Sequence, residues 1–153
     1  MTTRQDQLPG GPGAFGARLA DLERQLRELR AARPDMSAAD ALLPPLDADP
    51  TRWPQTTLTS WTALATSRNV RWATQIRLAL TTATSGGGVG SIRVTVNGSQ
   101  WGPVVAAGTP YDYTAALPAN IAIGSLYRIT VEGIRTSGSG TVYAQTQLIR
   151  NLM

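Results

Sequence analysis

A leucine repeat near the N-terminus, followed by an abrupt change to strict alternation, does most to limit what this chain can become. Phe15, Leu19, Leu22, Leu26 and Leu29 are spaced four, three, four and three. They therefore occupy alternating d and a positions of a heptad. Arg18 falls at g and Glu23 at the following e, which in a parallel bundle sets Arg18 of one helix beside Glu23 of its neighbour. The opposite face is charged or small, and Glu23 with Arg27 and Arg24 with Glu28 have the i, i+4 spacing of a helix standing in water. An amphipathic helix packed on the rest of the chain is the alternative reading of the same stripe.

The six residues Arg18-Leu19-Ala20-Asp21-Leu22-Glu23 resemble a short trimerisation motif: Arg, apolar, two variable residues, apolar, Glu. The expected assembly is a homotrimeric coiled coil over residues 15–33, with a dimer also open because leucine at both a and d does not fix the strand number. Roughly 20 helical residues, about 30 Å long, are marginal alone, so a second oligomerising region is expected to help. Pro34 disfavours helical geometry at Arg33 and ends the element. Residues 1–14, with Pro9, Gly10, Gly11, Pro12 and Gly13, read as a flexible docking arm. Residues 34–55 read as a Pro/Asp-rich linker, with one or two helical turns at 37–43.

Beyond residue 55 the period falls from 3.6 to 2, and sixteen of the remaining residues are threonine. Val70, Trp72, Thr74, Ile76, Leu78 and Leu80 alternate with Arg71, Ala73, Gln75, Arg77, Ala79 and Thr81, which predicts one strand with Trp72 on its buried face. Ile92, Val94 and Val96 repeat the pattern, and Asn97-Gly98 supplies a type I′ hairpin turn. Tyr127, Ile129 and Val131 are expected to face inward, and a last strand covers roughly 141–149 after a Ser-Gly-Ser-Gly turn. Six to eight short strands without intervening helices predict a mainly β head over 56–153, an antiparallel β-sandwich of jelly-roll type. Trp53 and Trp61 are expected to cover the base of this head or a trimer seam.

Composition narrows the chemistry. The chain has 153 residues with no Cys and no His, and all 14 basic residues are Arg. Disulfides, thiol nucleophiles, imidazole or thiolate metal sites, the Walker lysine and Schiff-base chemistry are thereby excluded. No cofactor is expected, and Gly86 to Gly90 read as a hairpin loop. No apolar run of membrane-spanning length and no secretory signal is visible, so membrane insertion is not expected. The net charge of +4 comes from the head, where seven Arg face only Asp112 and Glu132. Those Arg are spread singly along strands, unlike a backbone-tracking groove, so nucleic acid is not an expected partner. Asp112, placed in a loop, and Glu132, a cross-strand partner for Arg, are the two carboxylates a glycan hydrolase would require. Trp101, Tyr111, Asp112 and Tyr113 form a candidate ligand-binding cluster if the rings are exposed, because exposed rings stack on sugars and anchor protein contacts; ordinary packing is the other, favoured reading of the same rings.

The helix from Leu22 to Arg30 (Leu-Glu-Arg-Gln-Leu-Arg-Glu-Leu-Arg) and the segments Tyr127 to Glu132 and Thr136 to Val142 resemble small minor tail or tail-tip proteins of bacteriophages infecting actinobacteria. The resemblance implies a non-enzymatic, homotrimeric virion component, made in the host cytoplasm without a signal peptide. Its N-terminal part would dock on other tail proteins, and its β-head would serve attachment to a host-surface glycan. The alternatives are a purely structural assembly or decoration protein and, third, a cell-wall glycan hydrolase.

Overall fold

The computed structural model describes residues 12–32 and 46–152, which form a helical unit and a mainly β unit. The helix, α1, runs Pro12–Ala32. It starts two residues before the expected arm ends, because proline at the first helical position has its φ pre-set and gives up an N–H with no helical acceptor. Residues 1–11 and 33–45, with the rest of the docking arm and the expected turns at 37–43, lie outside the described residues.

The β unit takes up the end of the expected linker. Pro50–Arg52 form a single 3-10 turn capped by Asp49, whose carboxylate accepts from the Thr51 N–H at 3.0 Å. Bonds from the Thr51 hydroxyl and N–H hold the Asp49 carboxyl below the usual carboxylate range. Trp53 is buried, and its indole N–H donates to the Asp47 carbonyl at 2.7 Å. The Ala144 N–H then donates to the Pro54 carbonyl at 3.0 Å. Residues 46–55 are therefore part of the β unit and do not serve as a spacer.

Nine strands follow: β1 Gln55–Thr56, β2 Thr62–Val70, β3 Gln75–Ser85, β4 Val89–Val96, β5 Ser99–Gln100, β6 Val105–Ala106, β7 Tyr111–Ala116, β8 Leu126–Ser137 and β9 Thr141–Leu152. One antiparallel sheet has the order β1-β9-β3-β7; the other has the order β2-β8-β4-β5, with β6 also pairing β4. Ile76, Leu78 and Leu80 of β3, Tyr111 of β7 and Val142 and Ile149 of β9 join Ile92, Val94 and Val96 of β4 and Ile129 and Val131 of β8 in one buried cluster. The two sheets thus share a core, each burying the apolar half of its alternation.

The predicted alternation holds within β3, β4 and β8 and fails across a turn. Val70 closes β2 and β3 begins at Gln75, so the period-2 count does not carry through residues 71–74. Trp72, expected in the core, is 53% exposed, and small Ala73 is buried in its place. The strand β2 before it was not anticipated from sequence. Asn97 at φ 50° and Gly98 at φ 86° make the expected hairpin turn. At the opposite end of β4, the Gly86 to Gly88 turn and the Gly138 to Gly140 turn meet backbone to backbone. A Cβ on Gly140 would lie 1.6 Å from the Ser85 carbonyl oxygen.

Candidate functional site

On α1, Leu19, Leu22 and Leu26 are 52%, 60% and 50% exposed. With Glu23 and Arg27 they line a shallow apolar groove. Helical periodicity puts these leucines on one face, and the ion pairs run along its flank: Arg27 with Glu23 at 3.7 Å, Arg24 with Glu28 at 3.9 Å, and Arg24 with Asp21. Among the described residues Arg18 has no ion-pair partner, while Glu23 is engaged within its own helix. Phe15 and Leu29 belong to the same helix, but their side chains lie outside the described residues. The oligomerisation set thus contributes at least three large side chains to an open stripe.

The aromatic cluster is packed, and not open as ligand binding would require. Trp101 and Tyr111 are 6% and 1% exposed. The Trp101 indole N–H donates to the Ala116 carbonyl at 3.0 Å, and the Tyr111 hydroxyl donates to the Trp101 carbonyl at 3.1 Å. Burial pushes the Tyr111 hydroxyl well above its ordinary pKa. Tyr113 is half-buried and meets Trp101 edge-on, with ring centroids 4.9 Å apart. These rings close one end of the core and offer no open face for a ligand, because β7 is a paired strand that turns every second residue inward.

Asp112 is outward on that strand, contrary to its expected place in a loop. Arg77, two residues along β3 from Ala79, the register partner of Asp112, donates to both its carboxylate oxygens at 2.8 and 2.6 Å. This hydrogen bonding holds the Asp112 carboxyl below its usual range. Glu132 is the cross-strand partner of Arg93, as its alternation predicts, with Nε to Oε2 at 2.6 Å. The Arg93 guanidinium also lies 4.3 Å over the half-buried Trp61 ring, so Trp61 covers the outer face of a sheet and Trp53 the edge of the other. Asp112 and Glu132 project from the outer faces of different sheets, with the shared core between them. They do not converge on one bond.

One end of the β unit was missed entirely in the sequence. Arg71 ties the turn after β2 to the segment before β8. Its backbone N–H donates to the Ser125 carbonyl at 3.0 Å, and its carbonyl accepts from Gly124 at 2.8 Å. Its guanidinium donates to the carbonyls of Ala73, Pro118 and Ile121. On this scaffold Trp72, Ile123 and Leu126 are 53%, 69% and 68% exposed. The only sequence signal was Arg71-Trp72 itself, which alternation assigned to the interior of a longer strand.

Among the described residues there is no group of acidic side chains arranged for a metal ion, and no helix long and apolar enough to cross a membrane. Comparison with protein-family models, with curated proteins and with solved structures finds no match to this chain.

Proposed function

We propose that the chain is a non-enzymatic, self-associating virion component: a homotrimeric minor tail or receptor-binding protein whose β-head serves attachment to a host surface. The observation that carries this reading is an open leucine stripe on a helix of a chain whose β unit closes its main core, Ile76, Leu78, Ile92 and Val94 among it, between its own two sheets. A stripe of three leucines each at least half exposed gains most by packing against copies of itself, where the a and d side chains interlock. Three heads held together convert a weak contact into an effective one through local concentration.

The head reads as a jelly-roll sandwich. With β5 and β6 taken as one interrupted strand, the sheet orders β1-β9-β3-β7 and β2-β8-β4-β5 are those of two Greek keys wound together, an arrangement that recurs in viral and lectin domains. The resemblance to actinobacteriophage tail proteins rests on the same β8 and β9 segments. Placement of Asp112 and Glu132 on separate outer faces, each held by an arginine, gives a hydrolase no support.

Absolute mass by light scattering over a dilution series tests the assembly. A mass of three chains that falls to one on Leu22→Asp, with the melting of the β unit unchanged, is expected. A wild-type monomer at every concentration would sink the proposal. A purely structural tail role is the second reading, favoured by the burial of Trp101 and Tyr111. It predicts normal mass and no binding of the purified trimer to host cells.

A further inference from the structure

We propose that the end of the head around Arg68 and Arg128 binds an acidic polysaccharide through its anionic groups. This deepens the attachment reading and rests on it. Every carboxylate among the described residues of the β unit is already engaged: Asp47 and Asp49 with Arg52 at 3.7 Å each, Asp112 with Arg77 and Glu132 with Arg93 at 2.6 Å each. Arg68 and Arg128 are exposed, meet no carboxylate among the described residues, and stand directly opposite each other in the β2–β8 ladder. Side chains so placed are about 5 Å apart at Cβ, and like charges there repel. An anion held between the two guanidinium forks would turn that repulsion into two charge-assisted contacts.

The surroundings suit such a ligand. Arg128 is fixed at its backbone: Asn97 N–H donates to the Arg128 carbonyl at 2.9 Å, and Arg128 N–H donates to the Asn97 Oδ1 at 2.9 Å. With its oxygen committed, the Asn97 side chain keeps its NH2 as a donor. Arg68, Asn97, Gly98, Leu126, Tyr127 and Arg128 line an open groove of about 400 Å³. Trp72, four residues beyond Arg68 and therefore within roughly 14 Å of it at Cα, presents an exposed ring of the kind that stacks on a sugar face. A nucleic acid is a poorer fit. Two arginines neutralise two phosphates, and among the described residues Arg52, Arg77 and Arg93 are occupied by carboxylates while the neighbouring Arg71 guanidinium is bound to backbone carbonyls, which leaves them poorly placed to extend a basic track.

The test titrates the full-length protein with polygalacturonate, poly(glycerol phosphate), neutral dextran and a duplex DNA, at low and at physiological salt. Expected is salt-sensitive binding of the acidic polymers, weakened about tenfold or more by the double variant Arg68→Gln with Arg128→Gln, the loss that one strong charge-assisted contact represents. The stronger of the two acidic polymers identifies carboxylate or phosphate as the source of the anion. Arg→Lys at both positions keeps the charge without the fork and should fall between. Because the Gln variant removes a repulsion, its melting temperature should be equal to or above that of the parent, which separates lost binding from lost fold. Dextran bound as well as the acidic polymers, undiminished binding by the double variant, or DNA preferred over both polymers would each overturn the assignment. A double variant that still adsorbs fully to host walls would remove this site while leaving the attachment reading standing.

Discussion

The helix and the β unit treat their apolar residues in opposite ways. In the β unit Ile76, Leu78, Ile92 and Val94 have no measurable exposure, while on the helix Leu19, Leu22 and Leu26 are at least half exposed. Two sheets present two apolar faces and cover each other, whereas a single helix presents one stripe that it cannot cover by itself. The core of the β unit is therefore closed within one chain, and the leucine stripe is the feature on which the proposed self-association rests.

The sharpest way to break one side of this contrast is Gly140→Ala. The added methyl would meet the Ser85 carbonyl at 1.6 Å and the Gly88 nitrogen at 2.4 Å, both backbone atoms that cannot swing aside. Separating the two turns means pulling β3 and β9 apart at their paired ends, Ser85 and Thr141. We expect a loss above about 4 kcal/mol, read by chemical denaturation. Leu22→Asp, by contrast, should leave the melting of the β unit untouched. A Gly140→Ala protein with near-parental stability would show that the turns do not hold this contact.

Alkaline pH should act next, and on the β unit alone, since all 4 tyrosines lie beyond residue 110. Burial pushes the Tyr127 hydroxyl up to about 12, partly offset by Arg71, and raises Tyr111 as well. A tyrosine raised above its unfolded pKa near 10 contributes stability that is complete below pH 10 and is lost as pH climbs to about 12. Denaturant midpoints should be flat up to pH 10 and then fall, with the fall reduced in Tyr127→Phe. A midpoint unchanged across that window would mean that the ring is solvated.

Much of this contrast was legible in the residues. The leucine stripe, the Asn97-Gly98 turn, the inward set Tyr127, Ile129 and Val131, and the outward place of Glu132 opposite an arginine all follow from period and turn chemistry, which are local. What the pattern misses shares one cause. Alternation places Trp72 inward because it runs on through a turn whose fastenings, Arg71 to Gly124 and Ser125 and Thr74 to Leu117, come from more than forty residues away. Residue pattern leaves Tyr111 and Trp101 undecided between open and packed rings, because their burial depends on β7 pairing with β3, a long-range contact without a local signature. The facing of Arg68 and Arg128 is likewise a register fact, visible only once β2 is paired with β8.

The smallest effects divide the two outer faces of the head. Arg93 and Glu132 are 27% and 20% exposed at their side chains, against 43% and 50% for Arg77 and Asp112, although both pairs close at 2.6 Å. Glu132→Gln leaves the Arg93 guanidinium half-covered, over Trp61 and without its carboxylate, and should cost about 1–2 kcal/mol. Asp112→Asn releases Arg77 into water, and an exposed pair of this kind contributes little that a melting curve can detect. The pH dependence of the Asp112 contribution is confined to acid: its folded pKa is depressed by Arg77, so the stabilisation is present above the unfolded value near 3.8 and is lost as pH falls through the lower folded value. A Glu132→Gln protein as stable as Asp112→Asn would mean that the Trp61 cover does not shield Arg93 from solvent. It would also place the two outer faces on the same footing, each as wet as the flank of the helix.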